Sequence, residues 1–364
     1  MAARSVLGEQ ARAGRSPSVL ALIPAHNEEE AIAASIASLQ AQSWPVDRIV
    51  VVADRCSDAT ERVAAEAGAS VMTIEVNHAK KAGALNLALR SLLPRLDHDD
   101  AVLVVDADST IDENFVESAM RALEADPWIG AVGGIFYAGR EGNLLQQLQA
   151  NEYARYAREI ERRGGSARVI TGTGALFRVR ALRDVSRTRN AARLPGGRDV
   201  YDTLALTEDN ELTLALKTRG WRCVSPAECV VRTDTMPTLR TLWRQRTRWQ
   251  RGALENLRAH GINRVTVPYA LRQLYMGIGI MVWALLGAIT LATVATGQFH
   301  LIPFWTGLTV IFWTERMVSV RRAGFRGLAV AAPLVVEALY DFFIMAVYVK
   351  SVGGLLLRRQ EHWA

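Results

Sequence analysis

The chain has 364 residues, half of them hydrophobic, with 43 Lys and Arg against 37 Asp and Glu, a formal net charge of +6. That length holds a domain of roughly 200–250 residues and a further unit beside it. Three cysteines, Cys56, Cys223 and Cys229, exclude a disulfide framework and fit a reducing compartment. Lysine occurs only at Lys80, Lys81, Lys217 and Lys350, so the basic charge is nearly all arginine, which suits phosphate and headgroup contacts. Residues 1–17 are rich in Ala, Arg and Ser and lack an apolar core, which excludes a signal peptide. A disordered tail is expected there, and a cytosolic domain after it.

From residue 18 the chain alternates apolar runs with helical stretches. Residues 18–24 (SVLALIP), 48–53 (RIVVVA), 70–75 and 101–105 (AVLVV) read as strands. Helices are expected over 28–42, from Ser57, over 81–93 and over 112–125. Val/Ile/Leu runs without alternation belong to strands covered on both faces. Strand–helix alternation with short links predicts a doubly wound, mostly parallel sheet, whose ligands bind at the carboxyl ends of the strands. Residues 129–137 read as one strand, 143–163 as a long amphipathic helix, and 169–179 as a glycine-punctuated strand. The polar, Arg-rich stretch 183–200 reads as a mobile loop. Helices follow near Glu208 and over 238–259.

Three apolar segments, about 274–296, 301–318 and 327–350, are each long enough to cross a hydrocarbon core. Arg321, Arg322 and Arg326 place the loop between the second and third in the cytosol, on the same side as the domain before the first. Three crossings then leave Arg358 and Arg359 outside, against the charge rule; a re-entrant or interfacial last segment removes that conflict. Within these segments lie Glu315, Arg316, Glu337 and Asp341. Charges at membrane depth face protein or water, and Arg316 is expected to pair with Glu337 or Asp341.

Asp106-Ala107-Asp108 follows the fourth strand directly. Two carboxylates at i, i+2 can hold a hard divalent cation while substrate phosphates fill other positions, and such a cation neutralises a diphosphate leaving group. Pro24, His26 and Glu28 end the first strand and Asp54 ends the second, so a doubly wound sheet sets them beside the acidic pair. Asp54 is placed to accept a hydrogen bond from a base edge; Asp58 reads better as a helix cap. Lys81 and Asn86 share one side of their helix, near a diphosphate. Glu208 and Asp209 open a helix, where a carboxylate can act as general base. Gln245, Arg248 and Trp249 lie on the last helix before the membrane. Arg248 can grip phosphate oxygens, and Trp249 offers a flat face for a sugar ring.

Asp54, Asp106/Asp108, Thr207-Glu208-Asp209 and Gln245-x-x-Arg248-Trp249 occur in the order and rough spacing of family 2 glycosyltransferases. The chain resembles the membrane-embedded branch that includes cellulose, chitin, hyaluronan and poly-N-acetylglucosamine synthases. The resemblance implies a GT-A α/β fold over 18–236, interfacial helices over 237–267, a transmembrane region of about three helices over 268–352 and a tail over 353–364. It implies inversion at the anomeric carbon of a UDP-sugar, with Mg2+ or Mn2+ on Asp106 and Asp108. By motif, Asp54 contacts uracil, Asp209 is the base, Lys81 lies near the diphosphate, Gln245, Arg248 and Trp249 close the site, and Gly172-Thr173-Gly174 lines the acceptor. Two departures stand out: no N-terminal transmembrane helix is read, and the C-terminal set is small for one chain to enclose a polymer channel. The expected product is a β-linked polysaccharide made at the plasma membrane by a multi-pass protein. The alternatives are single transfer to a lipid, polyprenyl phosphate or protein, and a non-catalytic nucleotide-sugar-binding subunit. A glycan or lipid acceptor, the bilayer and a second copy of the chain through the membrane helices are the expected partners, and no nucleic acid.

Overall fold

The computed structural model describes residues 17–140, 142–298, 300 and 302–357. The tail expected over 1–17 lies outside these residues save for Pro17, as do Arg358 and Arg359. Ten strands form two sheets: β1 (Val19–Ala25), β2 (Arg48–Asp54), β3 (Ser70–Ile74), β4 (Ala101–Val105), β5 (Ser109–Ile111), β6 (Ile129–Gly133), β7 (Ile135–Ala138), β8 (Gly174–Arg178), β9 (Arg222–Val224) and β10 (Val230–Thr233). The main sheet has the order β3-β2-β1-β4-β8-β6-β9, and the small one β5-β10-β7. Strands β3, β2, β1 and β4 run parallel, while β8 is antiparallel to both β4 and β6. Alternate residues of each strand feed opposite cores. Leu20, Leu22, Val50 and Val52 enter one, and Val19, Ala21, Ile23 and Val51 the other. That is why these segments are apolar at every position.

Two expectations are corrected. The strand expected over 129–137 is two strands in different sheets, divided at Gly134. A Cβ there would lie 2.2 Å from Val231 Cγ2, so only glycine lets β10 pass close enough for the chain to change sheets. The Arg-rich stretch begins within a helix (Val179–Asn190). Its inward positions Val179, Leu182 and Val185 are buried. Two of its arginines are partnered: Arg183 donates to the Leu93 and Leu96 carbonyls, and Arg189 to the buried Glu211.

The helices beside the sheets are α1 (Ile32–Gln40), α2 (Thr60–Glu66), α3 (Lys80–Leu92), α4 (Phe115–Ala125), α5 (Leu144–Arg162), α6 (Val179–Asn190), α7 (Glu208–Thr218) and α8 (Leu239–His260). Asn143 caps α5 in a reciprocal box with Gln146. The helix expected from Ser57 starts at Thr60, where Asp58 accepts from both the Thr60 amide and hydroxyl.

Beyond α8 come α9 (Val267–Ala295), α10 (Pro303–Val320), α11 (Gly324–Ala331) and α12 (Leu334–Leu356). Among the described residues two helices are long and apolar enough to cross a membrane, α9 with mean hydropathy 2.2 and α12 with 1.5. The middle helix carries Glu315 and Arg316 in its last turns. The third expected segment is broken at Pro333, which cannot continue a helix from its N-terminal side. Helix α12 lies along α8 and α5: Tyr340 donates to Glu152 at 2.6 Å, and Arg251 reaches the Ser351 carbonyl.

The charges within the apolar C-terminal segments meet as anticipated. Arg316 donates to Glu337 at 2.8 Å and also to Asp341. Glu337, 1% exposed, also accepts from Arg155 and Asn151 of α5. Removing one member of a buried pair strands the other charge, at a cost of about 3 kcal/mol or more. Glu337→Ala is therefore expected to lower the thermal midpoint of the detergent-extracted protein by several degrees. An unchanged midpoint would show that the network adds nothing to stability.

Candidate active site

Three loops at the carboxyl ends of β1, β2 and β3 each hold a non-glycine residue in the left-handed region: Asn27 (φ 58°), Arg55 (φ 51°) and Lys80 (φ 50°). Such conformations cost of order 1 kcal/mol each and cluster where function demands them. The loops are cross-tied around the end of β2. His26 Nδ1 lies 2.6 Å from the Asp54 carbonyl, and Asn27 Oδ1 accepts from the Ser57 amide. Asp54 is 6% exposed, and its Oδ2 accepts from Asn77 at 2.8 Å. Its Oδ1 is buried with no hydrogen-bond partner; Arg55 Nε stands 3.6 Å away. A buried orphan acceptor invites a donor from outside.

Lys81, in the first turn of α3, joins the next group. Its Nζ is 2.5 Å from Asp106 Oδ1 and 3.3 Å from Glu208 Oε1, and it donates to the Gly172 carbonyl at 3.1 Å. The Gly172 amide donates to Asp209 Oδ2 at 3.0 Å. The Asp106 amide donates to the Thr173 carbonyl. Residues separated by more than a hundred positions in sequence thus form one cluster. Gly174 pairs with Val105 as β8 begins, which brings the 172–174 segment to the acidic pair.

The charges of this cluster conflict. Burial, then Asp108 and Asp106, push Glu28 to about 7. Burial raises Asp106, Lys81 opposes, and Asp108 raises it further. Burial and then Glu208 push Asp209 to about 6, against Lys81. Burial alone would lower the Lys81 ammonium, but Asp106 and Glu208 hold it above its ordinary value. No group of three or more His, Cys, Asp or Glu among the described residues is arranged to enclose a metal. The acidic pair instead fits an ion held by one or two carboxylates and completed by substrate phosphates. The mutual repulsion of Glu28, Asp106 and Asp108 is what a divalent cation relieves.

On α8, the Arg246 guanidinium lies over the Trp249 ring at 4.3 Å and donates to Glu152 at 3.0 Å. One face of Trp249 is therefore taken by protein. Arg248 stands close enough to Lys80 to lower that ammonium, after burial. It is thus at the β3 end of the pocket. Gln245 Oε1 is buried and has no hydrogen-bond partner. Pro24 lies in β1, register-paired with Val52, as the strand enters the His26 loop.

One residue expected at the diphosphate is elsewhere. Asn86 is buried, donates to the Tyr201 carbonyl and accepts from its amide. It pins the segment leading to Glu208. Sequence reasoning missed Asn77, which holds Asp54 and the Lys80 carbonyl together. Its signal was an Asn three residues before a helix start, a turn-forming position; its side chain accepts from the Ala79 amide.

An open, mostly parallel sheet with acidic residues from three strand ends and a helix start defines a nucleotide-binding α/β enzyme fold. The chain belongs to the family described as "Glycosyltransferase like family 2", which matches residues 17–252. It is 27% identical over 239 residues to a poly-beta-1,6-N-acetyl-D-glucosamine synthase of Staphylococcus aureus, covering 65% of this chain and 54% of that one. The synthase of the same name from Staphylococcus epidermidis is 26% identical over 243 residues, with the same coverage. The chain thus spans about half the length of these curated relatives. Its fold is shared with a mannosyltransferase from Pyrobaculum calidifontis solved with GDP-Man and Mn2+ (TM-score 0.57, 18% identity, 93% of this chain and 88% of that one).

Proposed function

We propose that this family 2 glycosyltransferase is inverting, and that it transfers a hexose or N-acetylhexosamine from a UDP-sugar to a growing β-linked polysaccharide at the membrane. The observation that carries the reading is the chain of contacts Asp106–Lys81–Gly172–Asp209. It joins the leaving-group side of the pocket to the attacking side. Asp54 Oδ1, buried and unpaired, accepts from the nucleobase N–H, while Pro24, His26 and Glu28 border the same end. Asp106 and Asp108 would hold Mg2+ or Mn2+, which would supply charge neutralisation for the departing diphosphate. Lys81, Gln245, Arg248 and Trp249 hold the phosphates and keep out water. The acceptor terminus lies against Gly172, Thr173, Gly174 and Trp249. Its hydroxyl attacks the anomeric carbon, its proton passes to Asp209, and the bond from that carbon to the diphosphate oxygen breaks. Glu208 keeps Lys81 turned toward this reaction face. Attack opposite the leaving group turns an α-linked donor into a β-linked product.

The membrane reading follows from the same contacts. Arg322 pairs with Glu161, and Arg162 stands 3.9 Å from Glu315. The end of α10 is therefore beside the catalytic domain, as is the start of α9. We propose that 18–236 faces the cytosol and that α9 and α10 form a membrane hairpin, α10 returning through its apolar turns before Glu315 although it falls short of the length and apolarity of α9 and α12; α12, apolar enough to cross, then lies in the interface against α8. An odd number of crossings is then not needed.

Membranes carrying the protein, incubated with radiolabelled UDP-N-acetylglucosamine, UDP-glucose, UDP-galactose or GDP-mannose and Mn2+, test the proposal. The expected result is label in long chains from one UDP-sugar. Label in a single mobile glycolipid would replace polymer synthesis with single transfer, and incorporation from GDP-mannose alone would overturn the uracil assignment.

A further inference from the structure

Helix α8 continues for three turns beyond Arg248. Gly252, Asn256 and His260 follow it at intervals of four, on one helix face. Each meets the segment that starts α7. A Cβ on Gly252 would lie 2.4 Å from Thr207 Oγ1 and 2.8 Å from its Cγ2, so this position admits no side chain at the present separation. Asn256 Nδ2 donates to the Thr207 carbonyl at 3.0 Å, and lies 3.1 Å from Thr207 Oγ1 and 3.0 Å from Asn210 Oδ1. His260 Nε2 is 2.9 Å from Glu211 Oε1, both side chains 1% exposed. The second Glu211 oxygen accepts from Arg189 at 2.5 Å.

Helix α7 lacks a side-chain cap of its own at this end. Thr207 occupies the N-cap, yet makes no side-chain cap hydrogen bond. Its hydroxyl is engaged by Asn256, and its carbonyl accepts from Asn256 as well as from the Glu211 amide. The Asp209 carboxylate is held by the Asn210 and Gly172 amides, while the turn that carries it, two residues after Thr207, is tied to α8 through Asn256. We infer that Asn256, supported by Gly252 and by the His260–Glu211 contact, is a positioning residue for transfer. It makes the turn bearing the base and the helix bearing Arg248 one body. Because α8 also packs on α12, that body is seated on the membrane-facing part of the protein. The inference rests on Asp209 as base and Arg248 as phosphate grip.

The test is the full-length protein in membranes, with Asn256→Leu compared against wild type and Asp209→Asn. Misplacing a reacting group by about 1 Å can cost on the order of 100-fold in rate. Asn256→Leu is expected to lower kcat at least about ten-fold. The KM for the UDP-sugar and the Kd for UDP should stay within about three-fold, because the donor loops are untouched. Wild-type kcat in Asn256→Leu beside an inactive Asp209→Asn overturns the latch and leaves the base assignment standing. An active Asp209→Asn would instead sink the base assignment. A second pair decides the matter if Asn256→Leu does not fold. Gly252→Ala drives a methyl into Thr207, and adding Thr207→Ala removes the obstructing atoms. The double variant is expected to transfer several-fold faster than Gly252→Ala alone; equal rates overturn the inference.

Discussion

Asp209→Asn is expected to abolish transfer, with kcat falling about 1,000-fold, while UDP still binds with near wild-type affinity. A positioned general base contributes on the order of 10²–10⁴, and asparagine cannot take the acceptor proton. The substitution keeps the side-chain shape, and the amide oxygen can still accept from the Gly172 amide or the Asn210 amide, which in the wild type bond different carboxylate oxygens. Nor should it unfold the protein. The Asp209 carboxyl is raised from 3.8 to about 6, by burial first and Glu208 second. A raised carboxyl binds its proton more tightly in the folded state, so its charge disfavours folding above that pH. Asparagine removes that charge, and the thermal midpoint at pH 7.5 should hold or rise. The same shift fixes the sign of the pH dependence. The base must be ionised, so transfer should rise with pH through about 6 and level off above it. A steady-state pH profile and UDP calorimetry check both statements. Loss of UDP affinity in Asp209→Asn would contradict its assignment to the acceptor side.

Asp108→Asn is expected to remove metal-stimulated transfer, by on the order of 100-fold or more, and to abolish the enhancement of UDP binding by Mn2+. Charge stabilisation by a bound cation supplies several kcal/mol to a developing leaving group. Asp108 suits the experiment better than Asp106. It is exposed, with the neighbouring Ser109 hydroxyl 3.1 Å away, whereas Asp106 also anchors Lys81. Its loss should therefore spare the fold. Titrating UDP binding with and without Mn2+, followed by transfer after chelation and metal readdition, reads the effect directly. Full Mn2+ stimulation in Asp108→Asn would move the metal elsewhere.

The chain itself determined the parallel half of the main sheet. Val19–Ala25, residues 49–53 and Ala101–Val105 are apolar at successive positions because both faces are covered, and a short, continuous apolar run is visible without knowing its neighbours. The loops after those runs held Asp54, Asp106 and Asp108, and their place at strand ends follows from the alternation alone. The pairing of Arg316 with Glu337 and Asp341 was legible because charge in an apolar segment needs a partner. Only the tertiary structure decided which side chains meet across long separations. Asn86 shares a helix with Lys81, but its neighbour is Tyr201. Arg189 reads as solvated until Glu211 is seen opposite it. Gly134 is unremarkable until β10 passes beside it, and nothing local announces that Asn256 holds the turn of Asp209. Periodicity and propensity act within about a turn or a strand, whereas these contacts are set by how the layers pack. That packing is a sum of contacts contributed by the whole chain.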